Sequence, residues 1–176
     1  MMRNEPRTIQ EAFNRNLEAF PDREALYAVN YRSGLWERLT WREIKEIMEC
    51  LAKGLADLGI RKGQKLAFMN ASYLENVCFY LAARKVGAIF IPVNVRLVAR
   101  EVEYIVINSD TEYIVYGHEY ETLVEQIRGK VPQLKKIICI EKEVFPVPEW
   151  AVPYGQLMKR CGSAPELEIK PEYDAD

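Results

Sequence analysis

The sequence predicts an α/β fold in which a doubly wound, mainly parallel sheet is flanked by helices and preceded by an N-terminal β-hairpin. Two observations predict it. Short, nearly continuous apolar stretches alternate with longer stretches whose apolar residues recur at helical spacing, and glycines follow the helical stretches. Strands that alternate with helices need crossover connections, so neighbouring strands run in parallel. Strands that are apolar throughout are typical of sheets covered by helices on both faces.

Three predicted helix starts carry the same signature, in which a serine or threonine is followed three residues later by glutamate. The two side chains of such a capping box can satisfy each other's free backbone N–H groups. The three pairs are Thr8 with Glu11, Thr40 with Glu43, and Ser72 with Glu75. Gly59 and Gly87 follow the second and third of these helices, at the position where a left-handed residue commonly ends a helix.

The predicted elements belong to one truncated N-terminal α/β domain, residues 1–176. Residues 1–24 hold the first helix, and residues 25–40 form the hairpin, whose turn is the Arg-Ser-Gly stretch at 32–34. Residues 41–140 form the βα core. Its predicted elements are strands at 65–69, 88–93, 113–116 and 136–140, and helices at 41–58, 74–86, 99–107 and 120–128.

The last segment, residues 141–176, is predicted as an irregular tail. Five prolines follow Ile140 and break the periodic pattern, which leaves one short helix expected near residues 154–160. This tail is too short for a second domain. A chain of 176 residues with 49% apolar side chains has enough material for one core of ordinary size.

Composition and charge exclude several classes of function. Lys and Arg total 24 against 26 for Asp and Glu, so the net charge of -2 gives no electrostatic footprint for nucleic acid. No apolar run approaches the roughly 20 residues needed to cross a bilayer. Cys50, Cys78, Cys139 and Cys161 lie far apart beside a single histidine, so neither a zinc site nor a disulfide framework is predicted. We expect free cysteines and a cytoplasmic location.

The order of several segments carries the functional information. One segment is an apolar helix end that leads through Gly87 into a strand closing in Pro92-Val93-Asn94. The others lie at 39–44, 51–55, 58–67, 100–105 and 108–110. Together these segments resemble the opening of AMP-forming acyl-CoA synthetases, in the acyl-adenylate-forming ligase superfamily. The resemblance extends over about residues 8–140, in the family's order and spacing.

This resemblance implies the N-terminal portion of an ATP-dependent ligase. Such an enzyme converts a carboxylic acid, here expected to be a long-chain fatty acid, to an acyl-adenylate and then to an acyl-CoA thioester. The parent enzyme would use ATP, magnesium and coenzyme A. The family's phosphate-binding loop of Gly, Ser, Thr and Lys is not found in this sequence, which ends in the acidic stretch 172–176. We therefore expect the chain alone to be inactive and assign no catalytic, cofactor-binding or metal-binding residue.

Asn94 and Arg96 are the candidate contacts to the acid substrate. Both follow the carboxyl end of a predicted strand, and ligands collect at that edge of an open parallel sheet. The alternative is that Asn94 caps a turn and that Arg96 is a solvated surface charge.

Two other interpretations of the whole chain remain open. The first is a stand-alone, non-catalytic binding or interaction module that has the same fold. The second is an unrelated nucleotide-binding domain, which is disfavoured because the first strand-to-helix turn, residues 70–73, contains no glycine. A truncated sheet would also expose apolar surface, which predicts a homodimer formed through that surface.

Overall fold

A computed structural model of the protein describes residues 8–142 and 145–159. Helix α1 (Ile9–Ala19) begins at Thr8, whose side chain accepts a hydrogen bond from the backbone N–H of Glu11 at 3.1 Å. Strands β1 (Glu24–Val29) and β2 (Trp36–Thr40) pair in antiparallel fashion as a two-stranded sheet. The predicted N-terminal hairpin is therefore confirmed.

A second sheet forms the centre of the fold, and all its neighbouring strands run in parallel. Its strand order is β4-β3-β5-β6-β7. The strands are β3 (Lys65–Met69), β4 (Ile89–Pro92), β5 (Tyr113–Gly117), β6 (Lys136–Ile140) and β7 (Val152–Pro153). The first strand of this sheet lies second in the row, which is the order of a doubly wound fold. The predicted fold class is therefore confirmed.

Helices cover both faces of the parallel sheet. They are α2 (Trp41–Asp57), α3 (Leu74–Lys85), α4 (Ala99–Asn108), α5 (Glu121–Arg128) and α6 (Tyr154–Met158), with a 3-10 turn at His118–Tyr120. Leu66 and Phe68 of β3 belong to the core cluster shared with α1, α2, α3 and α6. Ala67 and Met69 belong to the opposite cluster, with α4 and α5. The alternation of side chains along a strand thus supplies both cores.

The helix ends agree with the sequence signals at one complete capping box, at the Thr8 side-chain cap of α1 and at the glycines. Thr40 and Glu43 form the complete reciprocal box at the start of α2. Gly87 adopts φ +75° after α3, in the left-handed region that other residues avoid. The box predicted from Ser72 and Glu75 was wrong, because α3 begins after Tyr73 without a side-chain cap. Glu75 is instead buried and bonded elsewhere.

The segment after β6 contributes more than the irregular tail that was predicted. Residues 152–153 add the fifth parallel strand, and α6 packs on α2. Leu157 of α6 is buried against Gly54 of α2, where a Cβ added to the glycine would lie 2.8 Å from the Leu157 Cβ. The sequence did not predict this strand because it has only two residues, one of which is Pro153. It pairs only with β6.

Two expectations about chemistry and environment can be compared with the described residues. None of the helices in the described part of the chain is long and apolar enough to cross a membrane. Cys78 and Cys139 are free and buried, which agrees with the expectation for these two residues.

Candidate functional site

The strand order creates a crevice at the carboxyl edge of the sheet, between β3 and β5. The chain leaves β3 toward β4 through α3 on one face and returns to β5 through α4 on the other face. Ligands of doubly wound folds collect at such a switch point. Asn70 directly follows β3, and Gly117 ends β5. A Cβ on Gly117 would lie 2.5 Å from Asn70 Oδ1, so glycine is needed for this close packing.

Tyr31, which follows the hairpin's first strand, closes the crevice from one side. Its side chain is only 1% exposed, and its hydroxyl is hydrogen-bonded to the carboxylate of Glu119. The backbone N–H of Glu119 also donates to that hydroxyl, at 3.3 Å. The backbone N–H of Tyr31 donates to both carboxylate oxygens of Glu75, at 3.0 and 3.1 Å. The hairpin is thereby attached to α3 and to the segment after β5.

Glu75 is the most deeply buried acidic side chain in the described residues, with 1% exposure. Burial raises the pKa of its carboxyl from 4.5 to about 7, while backbone N–H donors act in the opposite direction. A raised pKa often marks a catalytic acid. Here, however, the carboxylate accepts hydrogen bonds from the hairpin backbone, and its role is to hold the hairpin in place.

An ion pair joins three parts of the chain beside the crevice. Arg32 Nη2 lies 3.3 Å from Glu141 Oε1, and that oxygen also accepts from the backbone N–H of Gly155 at 3.0 Å. The Arg32 guanidinium lies over the ring of Tyr154, with its Cζ 5.3 Å from the ring centroid. This cation is thus neutralised by a neighbouring carboxylate and is poorly suited to hold a phosphate group.

A cavity of about 310 Å³ opens next to the crevice, where β3 and β4 end beneath α3. It has an apolar lining with two amides. The lining residues are Phe68, Asn70, Asn76, Val77, Tyr80, Phe90, Pro92 and Val93. A mostly apolar cleft with a few placed polar groups is typical of small-molecule sites. The cavity can hold an apolar group, but its lining contains no carboxylate, histidine, lysine, serine or cysteine for covalent chemistry.

Among the described residues, the buried cysteines are not activated and the acidic side chains are not clustered for a metal ion. Burial raises the pKa of the Cys78 and Cys139 thiols to about 12, so neither is a ready nucleophile. Within residues 8–142 and 145–159, no group of three or more His, Cys, Asp or Glu side chains is placed to hold a metal ion.

Asn94 and Arg96 lie just beyond β4, and both are exposed. Asn94 Oδ1 accepts a hydrogen bond from the backbone N–H of Arg96 at 3.0 Å, which is an Asx turn. Their neighbours Pro92 and Val93 line the cavity, whereas Asn94 and Arg96 are not among its lining residues. The proposed contact of both residues with the acid substrate remains a prediction.

Sequence reasoning missed the amides of Asn70 and Asn76. Asn70 follows a strand end, as Asn94 does, and it does so at the strand that flanks the switch point. The same rule that selected Asn94 would have selected Asn70 if the strand order had been known. No sequence signal marks Asn76, which lies inside the apolar pattern of α3.

A second, larger cavity of about 800 Å³ runs along α4. Three apolar side chains of this region are strongly exposed, namely Val98 (62%), Tyr104 (67%) and Ile107 (42%). Charged residues of both signs, including Arg100 and Glu101, line the same groove. Helix α4 and the residue that precedes it thus carry exposed apolar surface.

The chain is similar to known ligases in sequence and in structure. It is 33% identical over 125 residues to a medium/long-chain-fatty-acid–CoA/3-oxocholest-4-en-26-oate–CoA ligase of Mycobacterium marinum, covering 71% of this chain and 22% of that ligase. A putative long-chain-fatty-acid CoA ligase from Rhodopseudomonas palustris superposes with a TM-score of 0.72 at 28% identity. That match covers 85% of this chain and 36% of the ligase. The chain thus spans about a fifth of the M. marinum ligase.

A relative of comparable extent is also known. The uncharacterized protein Rv1549 of Mycobacterium tuberculosis is 29% identical over 136 residues, which cover 77% of this chain and 74% of that protein. The family described as AMP-binding enzyme matches residues 13–171, nearly the whole chain. Together with the doubly wound sheet and the likeness to solved ligases, this match shows that the chain belongs to the AMP-binding enzyme family, as part of an acyl-CoA synthetase fold.

Proposed function

We propose that the chain is the N-terminal part of an ATP-dependent ligase that converts a fatty acid to an acyl-adenylate and then to an acyl-CoA thioester. The observation that carries this proposal is the family match over residues 13–171. The M. marinum relative supports the choice of acid, because its name specifies medium- and long-chain fatty acids and a steroid-derived acid, which are all largely apolar.

The role proposed for this chain is to support the acid rather than to activate it. The apolar cavity between β3, β4 and α3 would form one wall of the acid-binding site. The Arg32 guanidinium beside the crevice is paired with Glu141, and the cavity lining has no cation, so neither offers a free positive charge to a phosphate group. ATP, magnesium and coenzyme A would therefore be held by other parts of a ligase, and no step through them is derived from these residues.

Pyrophosphate exchange tests this division of roles. Residues 1–176 would be incubated with ATP, magnesium, labelled pyrophosphate and a panel of fatty and aromatic acids, with the M. marinum ligase as the active control. We expect exchange by the control and none above background by residues 1–176. Robust exchange by residues 1–176 would refute the proposed inactivity. Sequencing of the coding region beyond the Asp176 codon tests the ligase proposal. We expect the reading frame to continue into a loop rich in Gly, Ser, Thr and Lys.

A stand-alone module without catalysis is the second candidate. The observation that favours it is the likeness to Rv1549, of which the matched residues cover 74%. A stop codon directly after Asp176 would support this candidate and would contradict the ligase proposal. A cytoplasmic location is proposed for either candidate, and fractionation of cells that produce the protein would test it.

A further inference from the structure

Asn70 presents an unused hydrogen-bond donor at the cavity. The residue is 7% exposed, and its Oδ1 accepts from the backbone N–H of Ala71 at 3.0 Å. The same oxygen packs against Gly117, so the amide orientation is set on the oxygen side. Nδ2 is buried, and no described residue accepts a hydrogen bond from it. A buried donor left without a partner costs folding free energy.

Asn76 presents the complementary group. Its Oδ1 is buried and receives no hydrogen bond from any residue in the described part of the chain. Asn70 precedes α3 and Asn76 lies in its first turns, yet both side chains line the same cavity. The residues that line the cavity thus carry a donor and an acceptor, each without a partner among the described residues.

The rest of the lining determines what kind of ligand fits. Phe68, Tyr80 and Phe90 form an aromatic wall, with the Phe68 and Phe90 centroids 5.2 Å apart and the Tyr80 and Phe90 centroids 5.5 Å apart. No charged side chain lines the cavity. An ionised group would lose its hydration here without gaining an opposite charge, so a neutral group is favoured.

We propose that this cavity binds the hydroxyl-bearing end of an apolar ligand. A hydroxyl oxygen accepts from Asn70 Nδ2 while its O–H donates to Asn76 Oδ1, so one atom group satisfies both amides. The apolar body of the ligand packs on the aromatic wall. If the proposed function holds, this ligand is an acid substrate that carries a hydroxyl group far from its carboxyl group. Sites built to hydrogen-bond a hydroxyl discriminate strongly against analogues that lack it.

Three small probes of similar shape test the proposal on residues 1–176 without ATP. Binding of benzyl alcohol, toluene and benzoate would be measured by NMR titration, with the methyl signals of Val77 as the reporter beside the amides. We expect benzyl alcohol to bind at least tenfold more tightly than toluene and benzoate to bind more weakly than either. Equal affinities of benzyl alcohol and toluene would overturn the proposal.

Variants identify the amides as the cause. Asn70→Asp replaces the donor with an acceptor of the same shape, and we expect it to abolish the preference for benzyl alcohol over toluene. Asn14→Asp makes the same change on the exposed side of α1 and should keep the preference. If Asn70→Asp does not fold, Asn76→Leu removes the acceptor and should reduce the preference in the same direction. A preference that survives in a folded amide variant contradicts the proposal.

The outcome is independent of the ligase proposal. Suppose that the amide variants lose the preference for benzyl alcohol and that the coding region does not continue into a ligase. The binding site is then supported, and only its assignment to an acid substrate is contradicted. If a longer ligase is active but residues 1–176 bind benzyl alcohol and toluene equally, the proposed hydroxyl site is contradicted and the ligase proposal is not.

Discussion

The backbone N–H of Tyr31 donates to the carboxylate of Glu75 across 44 positions of sequence, in a buried contact of 3.0 and 3.1 Å. Tyr31 lies in the turn between the two hairpin strands and Glu75 lies in the first turn of α3, so this contact attaches the hairpin to a helix that covers the parallel sheet. The carboxyl is held where burial opposes its charge, and its protonation is thereby linked to the stability of the fold.

The first prediction concerns that linkage. The folded-state pKa of Glu75 is raised to about 7, so its contribution to stability is fully present below about pH 4.5 and is lost as the pH rises through 7. Glu75→Gln cannot ionise. We therefore expect the unfolding free energy of the variant, relative to the wild type, to increase by up to about 3 kcal/mol between pH 4.5 and pH 8.

Urea denaturation at several pH values measures this change, and Glu18→Gln on the exposed surface of α1 is the control. The control should follow the wild type at every pH. A Glu75→Gln profile parallel to that of the wild type would show that Glu75 does not titrate in this range.

The second prediction concerns the close packing at the switch point. Gly117→Ala places a Cβ 2.5 Å from Asn70 Oδ1 and 3.1 Å from its Cγ, so the two strand ends must separate or the amide must rotate. We expect a loss of about 1–3 kcal/mol in unfolding free energy. Gly129→Ala is the matched control, because no atom lies within 4 Å of its added Cβ. Equal stabilities of the two variants would contradict the described packing.

The third prediction tests how α6 docks on α2. Gly54→Ala directs its Cβ at Leu157, only 2.8 Å from the Cβ and 3.1 Å from the Cα of that residue. We expect this variant to lose about 1–3 kcal/mol although alanine favours helix formation. In a Leu157→Gly background the loss should shrink by about 1 kcal/mol or more, because the Cβ that opposes the added methyl group is then absent. Additive losses in this double-mutant cycle would mean that the two residues do not meet.

The fourth prediction is self-association through α4, which remains a prediction from the exposed apolar surface. Size-exclusion chromatography over a range of protein concentrations should show a dimer that Tyr104→Asp converts to a monomer. Leu35→Asp places the same charge on an exposed apolar residue of the hairpin segment, and should not change the elution volume. A wild-type chain that elutes as a monomer at every concentration would rule out the dimer.

Local sequence signals predicted the elements well, and contacts between distant segments account for what they missed. The alternation of strands and helices predicted the parallel sheet, and Gly87 has the left-handed backbone that its position after a helix indicated. Glu75 was assigned to a capping box with Ser72 because local spacing alone cannot reveal a partner as distant as Tyr31. The sequence also could not predict that Asn70 and Asn76 line the same cavity, because this depends on how α3 lies over the strand ends.

The ion pair between Arg32 and Glu141 spans 109 positions, and this separation has a consequence for folding. A ribosome delivers the hairpin early, yet the carboxylate that fixes its arginine is made only after the whole βα core has been synthesised. Contacts of such long range slow folding, since the intervening chain must be ordered first. Glu75, which also holds the hairpin, is made before Glu141, so a nascent chain can attach the hairpin to α3 before it can form this ion pair.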